Sequence, residues 1–402
     1  SGGAIAPTVV ASKELRRDPE TGLEFIEEVA IPERMERLAD RIAASGAHIL
    51  AIKDMAGLLR PAAAAVFEAA DAAHVPTVSV DLPSGVDVLT GAVTGPAVRP
   101  VLTVTFGGLK PVHALADCGR VELVDIGLGL PSADLLEFEA ADVAACWPVP
   151  GPRDDKYTQG VTGVLAGSSA YPGAAILCSG AAVAATSGMV RYAGTAAAEV
   201  VSHWPEVVAA PNAAAAGRVQ AWAVGPGLGT DEAAVTALTY ALNSDLPVIV
   251  DADGLTILSH HPHLVSERDA PTVLTPHAGE FERLAGAGPG MDRVAATRRL
   301  ADVFGATVLL KGNVTVIAEP GGPVYLNPAG GSWAATAGSG DVLSGVIGAL
   351  LAAGLAPVEA AAAAAFVHAH AANASAADPG PASAPTSASR ILAHIRSAVA
   401  AL

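Results

Sequence analysis

Cysteine is scarce in these 402 residues, which hold only Cys118, Cys146 and Cys178. The three are far apart and form no Cys-x-x-Cys pair, so they offer neither a disulfide framework nor a thiolate zinc site; a reducing cytoplasm is expected. Positive charge is also short: Lys and Arg total 23 against 40 Asp and Glu, a formal net charge of −17. That balance opposes nonspecific binding to nucleic acid or anionic membranes, so an anionic substrate must be held by local features. Long apolar runs are missing too. The first residues have neither the basic start nor the apolar core of a signal peptide, and Gly, Pro or charge interrupts the Ala-rich stretches before membrane-spanning length.

Apolar residues make up 51% of the chain, with Gly 42 and Pro 29, a composition that suits a compact α/β enzyme with many tight turns. The length is enough for two domains. Residues 130 to 155 lose periodicity and gather Pro131, Pro148, Pro150 and Pro152, which predicts a linker. The expected domains are therefore 1–140 and 153–402. Past the linker, short β-branched runs (VTGVLAG, AWAVGPG, LPVIVDADG, APTVLTPH, ATVLLKG) alternate with Ala/Leu-rich segments, the pattern of βαβ units on a mostly parallel sheet. Alanine runs such as Ala360 to Ala365 read as close-packed helix. A Pro/Ser/Ala-rich loop is expected over 375–389, with a last helix from about Ser389. In the first half, strands are expected at 76–82 and 101–106.

The strongest chemical signal is Ala337-Gly338-Ser339-Gly340-Asp341 running into the apolar stretch VLSGVIGALLAAGL. Glycines at a helix start let backbone N–H groups point at phosphate, aided by the helix dipole. Asp341 would then stand beside the transferred phosphoryl group as a general base, although an Asp there also suits a plain helix N-terminus. Lys311-Gly312-Asn313-Val314-Thr315 follows a strand, where ligands collect in open α/β sheets. Thr275-Pro276-His277-Ala278-Gly279-Glu280 closes another strand with an imidazole and a carboxylate. Val224 to Gly229 is a glycine loop without the GK[ST] of a P-loop. Asp251 and Asp253, in an extended segment, would face one side and serve Mg²⁺ or a polar network; a turn role is equally open.

Together, Lys156-Tyr157, YPGAA from Tyr171, VGPGLG, VDADGL, LTPHAGEFERL, LLKGNVTVI and NPAGGSWAATAGSGDVLSG resemble the ADP/ATP-dependent NAD(P)H-hydrate dehydratases over roughly 200 residues. The resemblance implies a ribokinase-like three-layer α/β domain with a mostly parallel sheet. It assigns Lys311, Gly312, Asn313, Val314, Thr315 and Gly340 to nucleotide, and Ala174, Ala175, Gly227, His277 and Asp341 to the hydrated dinucleotide. ADP or ATP with Mg²⁺ would be the cofactors. The expected partners are the small-molecule substrate and further copies of the chain. Departures are ILCSGAAVAATSGMVRYAG after YPGAA, and Gly254 where Ala is common.

Asp81-Leu82-Pro83-Ser84-Gly85-Val86-Asp87, Thr90-Gly91, VTFGGLKP and VELVDIGLG resemble the latter part of an NAD(P)H-hydrate epimerase domain, a smaller and incomplete Rossmann-like α/β unit. In that family the first aspartate, here Asp81, contacts substrate and the serine, here Ser84, helps bind K⁺. No GNNGGDG-like loop occurs within residues 1 to 60, so epimerase activity is not expected. His48 to Pro61, with Lys53, resembles a piece of the carboxyltransferase domain of pyruvate carboxylase. The His-x-His pair that accompanies such a lysine is absent at comparable spacing. His261-Pro262-His263 and His368-Ala369-His370 have that spelling but fall in the dehydratase-like half.

The implied reaction is a carbon–oxygen lyase step: dehydration of (6S)-NAD(P)H hydrate driven by ADP or ATP. A vitamin-type small-molecule kinase of the same fold and a non-enzymatic nucleotide-binding regulator are the rivals.

Overall fold

In the computed structural model, residues 71–402 are described, together with three earlier strands, β1 (Lys13–Arg17), β2 (Glu24–Glu28) and β3 (Leu50–Ile52). Apart from β3, the pyruvate carboxylase-like stretch lies outside the described residues. The chain divides after Ser132 into two compact units.

In the first unit β1 and β2 form an antiparallel pair, and a separate four-stranded sheet has the order β3-β4-β5-β6, parallel throughout. Here β4 is Thr77–Val80, β5 Leu102–Phe106 and β6 Arg120–Val124. Parallel strands in sequence order are one half of a Rossmann-like wind. The chain turns sharply at the end of β4, where Asp81 has φ 74°. Side chains rarely tolerate this left-handed backbone, and such outliers gather at functional sites.

The second unit carries a ten-stranded sheet in the order β10-β9-β8-β11-β12-β13-β14-β15-β16-β7. Its strands are β7 (Leu135–Leu136), β8 (Val161–Leu165), β9 (Met189–Ala193), β10 (Val208–Ala210), β11 (Ala221–Val224), β12 (Val248–Val250), β13 (Thr272–Leu274), β14 (Thr307–Leu310), β15 (Val314–Ala318) and β16 (Val324–Pro328). From β10 to β14 all neighbours are parallel; β15 turns back on β14 and β16 on β15. Strands β8, β11, β12, β13 and β14 are buried along their whole length, as strands covered on both faces must be.

Helix Ser339–Ala352 lies flat on this sheet: a side chain on Gly348 would meet Ala223 of β11 at 2.9 Å. Its other side meets helix Pro172–Ala185 so closely that a Cβ on Gly345 would stand 2.2 Å from the Cys178 carbonyl oxygen. The alanine run Ala360–Ala365 is buried within helix Pro357–Ala377, and the last helix is Ala388–Ala400.

The linker expected over 130–155 is in part folded structure. β7 pairs with β16, helix Ala140–Cys146 buries Val143, and Trp147 Nε1 donates to the Ala185 carbonyl at 3.2 Å. The prolines obscured this because they flank a two-residue strand and a seven-residue helix, both too short to show a period.

Candidate active site

The C-terminal ends of the parallel strands supply the site, as the handedness of βαβ units dictates for open sheets. From β11 comes Gly225 to Gly229, from β12 Asp251, from β13 Thr275 to Glu280, and from β14 the Lys311 to Asn313 turn. Facing them is the start of helix Ser339–Ala352. Gly338 is its N-cap with φ 82°, a conformation open to glycine, and Asp341 lies in its first turn.

A chain of polar contacts joins these pieces. Lys311 Nζ is 2.6 Å from Asp251 Oδ1 and 3.5 Å from Glu280 Oε2. Ser344 Oγ donates to Asp251 Oδ2 at 2.8 Å. A side chain on Gly340 would lie 3.5 Å from Lys311 Nζ, so the ammonium sits just under the glycine-rich turn. Burial alone would depress the lysine's pKa; Asp251 and Glu280 more than reverse this and hold it above its usual value. Asp341 is the opposite case. Burial, reinforced by the nearby Asp251 carboxylate and only partly relieved by Lys311, pushes its pKa up to about 7.

His277 caps helix Ala278–Ala285. Its Nδ1 accepts from the Gly279 and Glu280 amides at 3.0 and 3.3 Å, and Glu280 Oε2 accepts from the His277 amide at 2.8 Å. This is a capping box with histidine in the Ser/Thr position. Because Nδ1 accepts, the proton of the neutral ring belongs on Nε2, which lies 3.4 Å from Glu280 Oε1 on a half-exposed side chain.

Helix Pro172–Ala185 starts with Pro172 at its first position and spans two parts of the site. Ala174 packs at Gly227, where an added Cβ would meet it at 2.7 Å, while Leu177 packs against Gly338 at the same separation. Ala175 points instead into the core, fully buried. Asp251 and Asp253 do not share a side. The chain bends at Ala252, φ 51°, so Asp253 opens the helix Asp253–His260 and its Oδ2 accepts from the Gly229 amide at 2.9 Å. The extended geometry expected for this pair is thus replaced by a turn that ties two loops together.

Two contributors went unread in the sequence. Ser344 looks like any small residue of an apolar helix. Arg293 opens the helix Arg293–Phe304 and is partly buried; Nη1 donates to the Val314 carbonyl at 2.8 Å and Nη2 to the Lys311 carbonyl at 3.1 Å. It thereby clamps the β14–β15 turn from below. Nothing in the local pattern DRVAATRRL separates it from a solvated arginine.

In the first unit, Asp81 Oδ1 is 2.7 Å from Lys110 Nζ and accepts from Thr105 Oγ1 at 3.0 Å. Burial would raise the Asp81 pKa, but Lys110 and Thr105 hold it below the usual carboxylate range. His113 accepts the Lys110 amide on Nδ1 at 3.0 Å and so donates Nε2–H to the Asp81 carbonyl at 2.7 Å. Ser84 is buried in the following turn. Cys118, Cys146 and Cys178 are free thiols; burial and the charges of Asp341 and Asp251 push the Cys178 thiol well up, so none is a poised nucleophile. Among the described residues no helix is long and apolar enough to cross a membrane, and no group of three or more His, Cys, Asp or Glu is placed to hold a metal.

A family model described as NAD(P)H-hydrate dehydratase matches residues 162–394, more than half of the chain. This chain belongs to the NAD(P)H-hydrate dehydratase family. A second model, described as YjeF-related protein N-terminus, matches residues 48–112 and so takes in the stretch around Lys53. The bifunctional NAD(P)H-hydrate repair enzyme Nnr of Mycobacterium tuberculosis is 78% identical over 346 residues, 86% of this chain and 73% of that protein. The crystal structure of the ADP/ATP-dependent NAD(P)H-hydrate dehydratase of Bacillus subtilis, co-crystallized with ATP/Mg²⁺, aligns at a TM-score of 0.56 with 29% identity, covering 64% of this chain and 96% of that one. A ribokinase-like superfamily protein of Enterococcus faecalis, TM-score 0.59 and 21% identical, agrees in fold. The second unit of this dehydratase-family chain is thus ribokinase-like. The expectation that epimerase activity is absent is not upheld: the M. tuberculosis relative is called bifunctional, and the N-terminal model matches across Asp81 and Ser84.

Proposed function

We propose that the second unit dehydrates (6S)-NAD(P)H hydrate at the expense of ADP or ATP, with Asp341 as general base. The observation that carries this is a half-buried carboxyl in the first turn of a helix with a glycine-rich start, close to Lys311 and Asp251, whose pKa burial pushes up to about 7. A base poised near the working pH is the most effective at taking a hydroxyl proton. Asp341 takes the proton of the C6 hydroxyl as that oxygen bonds to the terminal phosphorus and the bond to the leaving nucleotide breaks. Expulsion of phosphate from C6, pushed by the ring nitrogen, and loss of the C5 proton then restore the dihydropyridine.

The turn Lys311 to Thr315 with Gly340 is the nucleotide side, and Ala174, Ala175, Gly227, His277 and Asp341 are the hydrate side. Ala175 acts from within the core, by seating the helix that presents Ala174. His277 Nε2–H, 3.4 Å from Glu280 Oε1, would turn from that carboxylate to donate to a substrate amide or phosphate. Mg²⁺ held mainly by nucleotide phosphates and water needs no protein cage, and Asp341 and Asp251 are the carboxylates near the turn. When bound, it neutralises phosphate charge. In the first unit the same reading gives Asp81 a hydrate contact, supported by the Asp81–Lys110–Thr105 cluster at the end of β4, and makes the buried Ser84 the residue that would help hold K⁺.

Hydrated NADH supplied with ADP, and separately with ATP, should regain its reduced-nicotinamide absorbance with one inorganic phosphate released per molecule. A stable phosphoester without absorbance recovery would mark a small-molecule kinase, and binding without turnover a regulator.

A further inference from the structure

His368 and His370 share the His-x-His spelling but not a role. His370 is exposed and stacks on Phe366 at 4.0 Å. His368, on helix Pro357–Ala377, is buried, and its Nε2 lies 3.0 Å from both the carbonyl oxygen and Oγ of Ser339. A carbonyl oxygen only accepts, so the ring carries its proton on Nε2. Burial drives its pKa down to about 4, and the neutral form persists across the working range. Within Ala337 to Asp341, Ser339 alone is buried while its neighbours are partly or fully open.

We propose that His368 is a positioning residue for the phosphoryl-binding turn: its Nε2–H holds Ser339 inward, so that the Gly338 and Gly340 amides and Asp341 face the nucleotide. This rests on the reading of that turn given above. The same helix also holds the preceding loop, where Asn373 Nδ2 donates to the Ala329 carbonyl at 2.8 Å.

The test compares His368→Gln, His368→Asn and His368→Leu in the full chain. The Gln amide nitrogen reaches about where Nε2 lies; that of Asn reaches only about as far as Nδ1, and Leu has no donor. Gln should keep kcat within about threefold, while Asn and Leu lose about 10- to 100-fold in kcat, the scale of an unsatisfied buried polar group. Asn and Leu leave Ser339 without its partner and should also melt below Gln, but hydrate KM should not follow that ranking. If Leu turns over as fast as Gln, His368 is a packing residue and the proposal is wrong. If Leu fails to fold, the Gln and Asn pair decides alone. Failure of the wild-type chain to dehydrate hydrated NADH would instead reject the functional reading, which keeps the two outcomes apart.

Discussion

At the scale of single residues, the site is a balance between one lysine and four carboxyls. Lys311 is bonded to Asp251 and close to Glu280, and its charge lowers the Asp341 pKa against burial and the neighbouring Asp251 and Asp253. A general base works ionised, and Asp341 loses its proton as pH rises through about 7. kcat/KM should therefore climb with pH across that value and level off above it. Lys311→Met removes the stabilising cation and leaves Asp251 unopposed, so the limb should move to higher pH. Rate profiles at saturating nucleotide check this, and a limb that stays put or moves down would detach Lys311 from Asp341. The lysine's direction was not readable in the sequence. Lys311 can be placed after a strand from its neighbours alone, but only folding shows that Asp251, 60 positions earlier, captures its ammonium.

At the scale of elements, loops are held by residues that never need to touch a ligand. Arg293 ties the Lys311 and Val314 carbonyls together with a planar fork that a lysine cannot imitate. Arg293→Ala should raise the KM for ADP or ATP by about tenfold or more, the effect of losing hydrogen bonds from a charged group, with little change in hydrate KM. Steady-state kinetics with each substrate varied separately would show it; equal loss on both sides would place Arg293 outside the nucleotide turn. The sequence was informative where an element has a strong local signature. The AGSGD start, the TPHAGE cap and the strand alternation are each spelled by neighbours within a few positions. Ser344, Arg293 and His368 act on partners across the fold, so their spelling is indistinguishable from ordinary helix positions. The bend at Ala252 was hidden for a related reason, since a non-glycine residue in left-handed backbone carries no local cue.

At the scale of the whole molecule, the division after Ser132 places β7, Val143 and Trp147 with the second unit. Residues 133–402 should therefore fold alone and retain dehydratase turnover. A fragment starting at residue 153 loses β7 and the buried Val143 and Trp147 side chains, each worth on the order of 2–5 kcal/mol in a core, and should melt well below the longer piece. Thermal melts of the two fragments side by side check the boundary; equal melting temperatures would restore the linker reading. The alternation of strands and helices was legible in the sequence because covered parallel strands are continuously apolar, whereas this boundary depended on two short elements that acquire their structure only by docking.

The measurement that bears most directly on the proposed chemistry is single-turnover phosphate release by Asp341→Asn, made on folded protein with nucleotide affinity determined in parallel. Asn keeps the size of the side chain and caps a helix nearly as well as Asp, but it cannot accept the proton. Loss of a general base costs about 10²- to 10⁴-fold in rate. Turnover reduced at least about 10²-fold with nucleotide still bound is the expected result. Turnover close to that of the unaltered chain would leave Asp341 as a helix cap and contradict its role as the base.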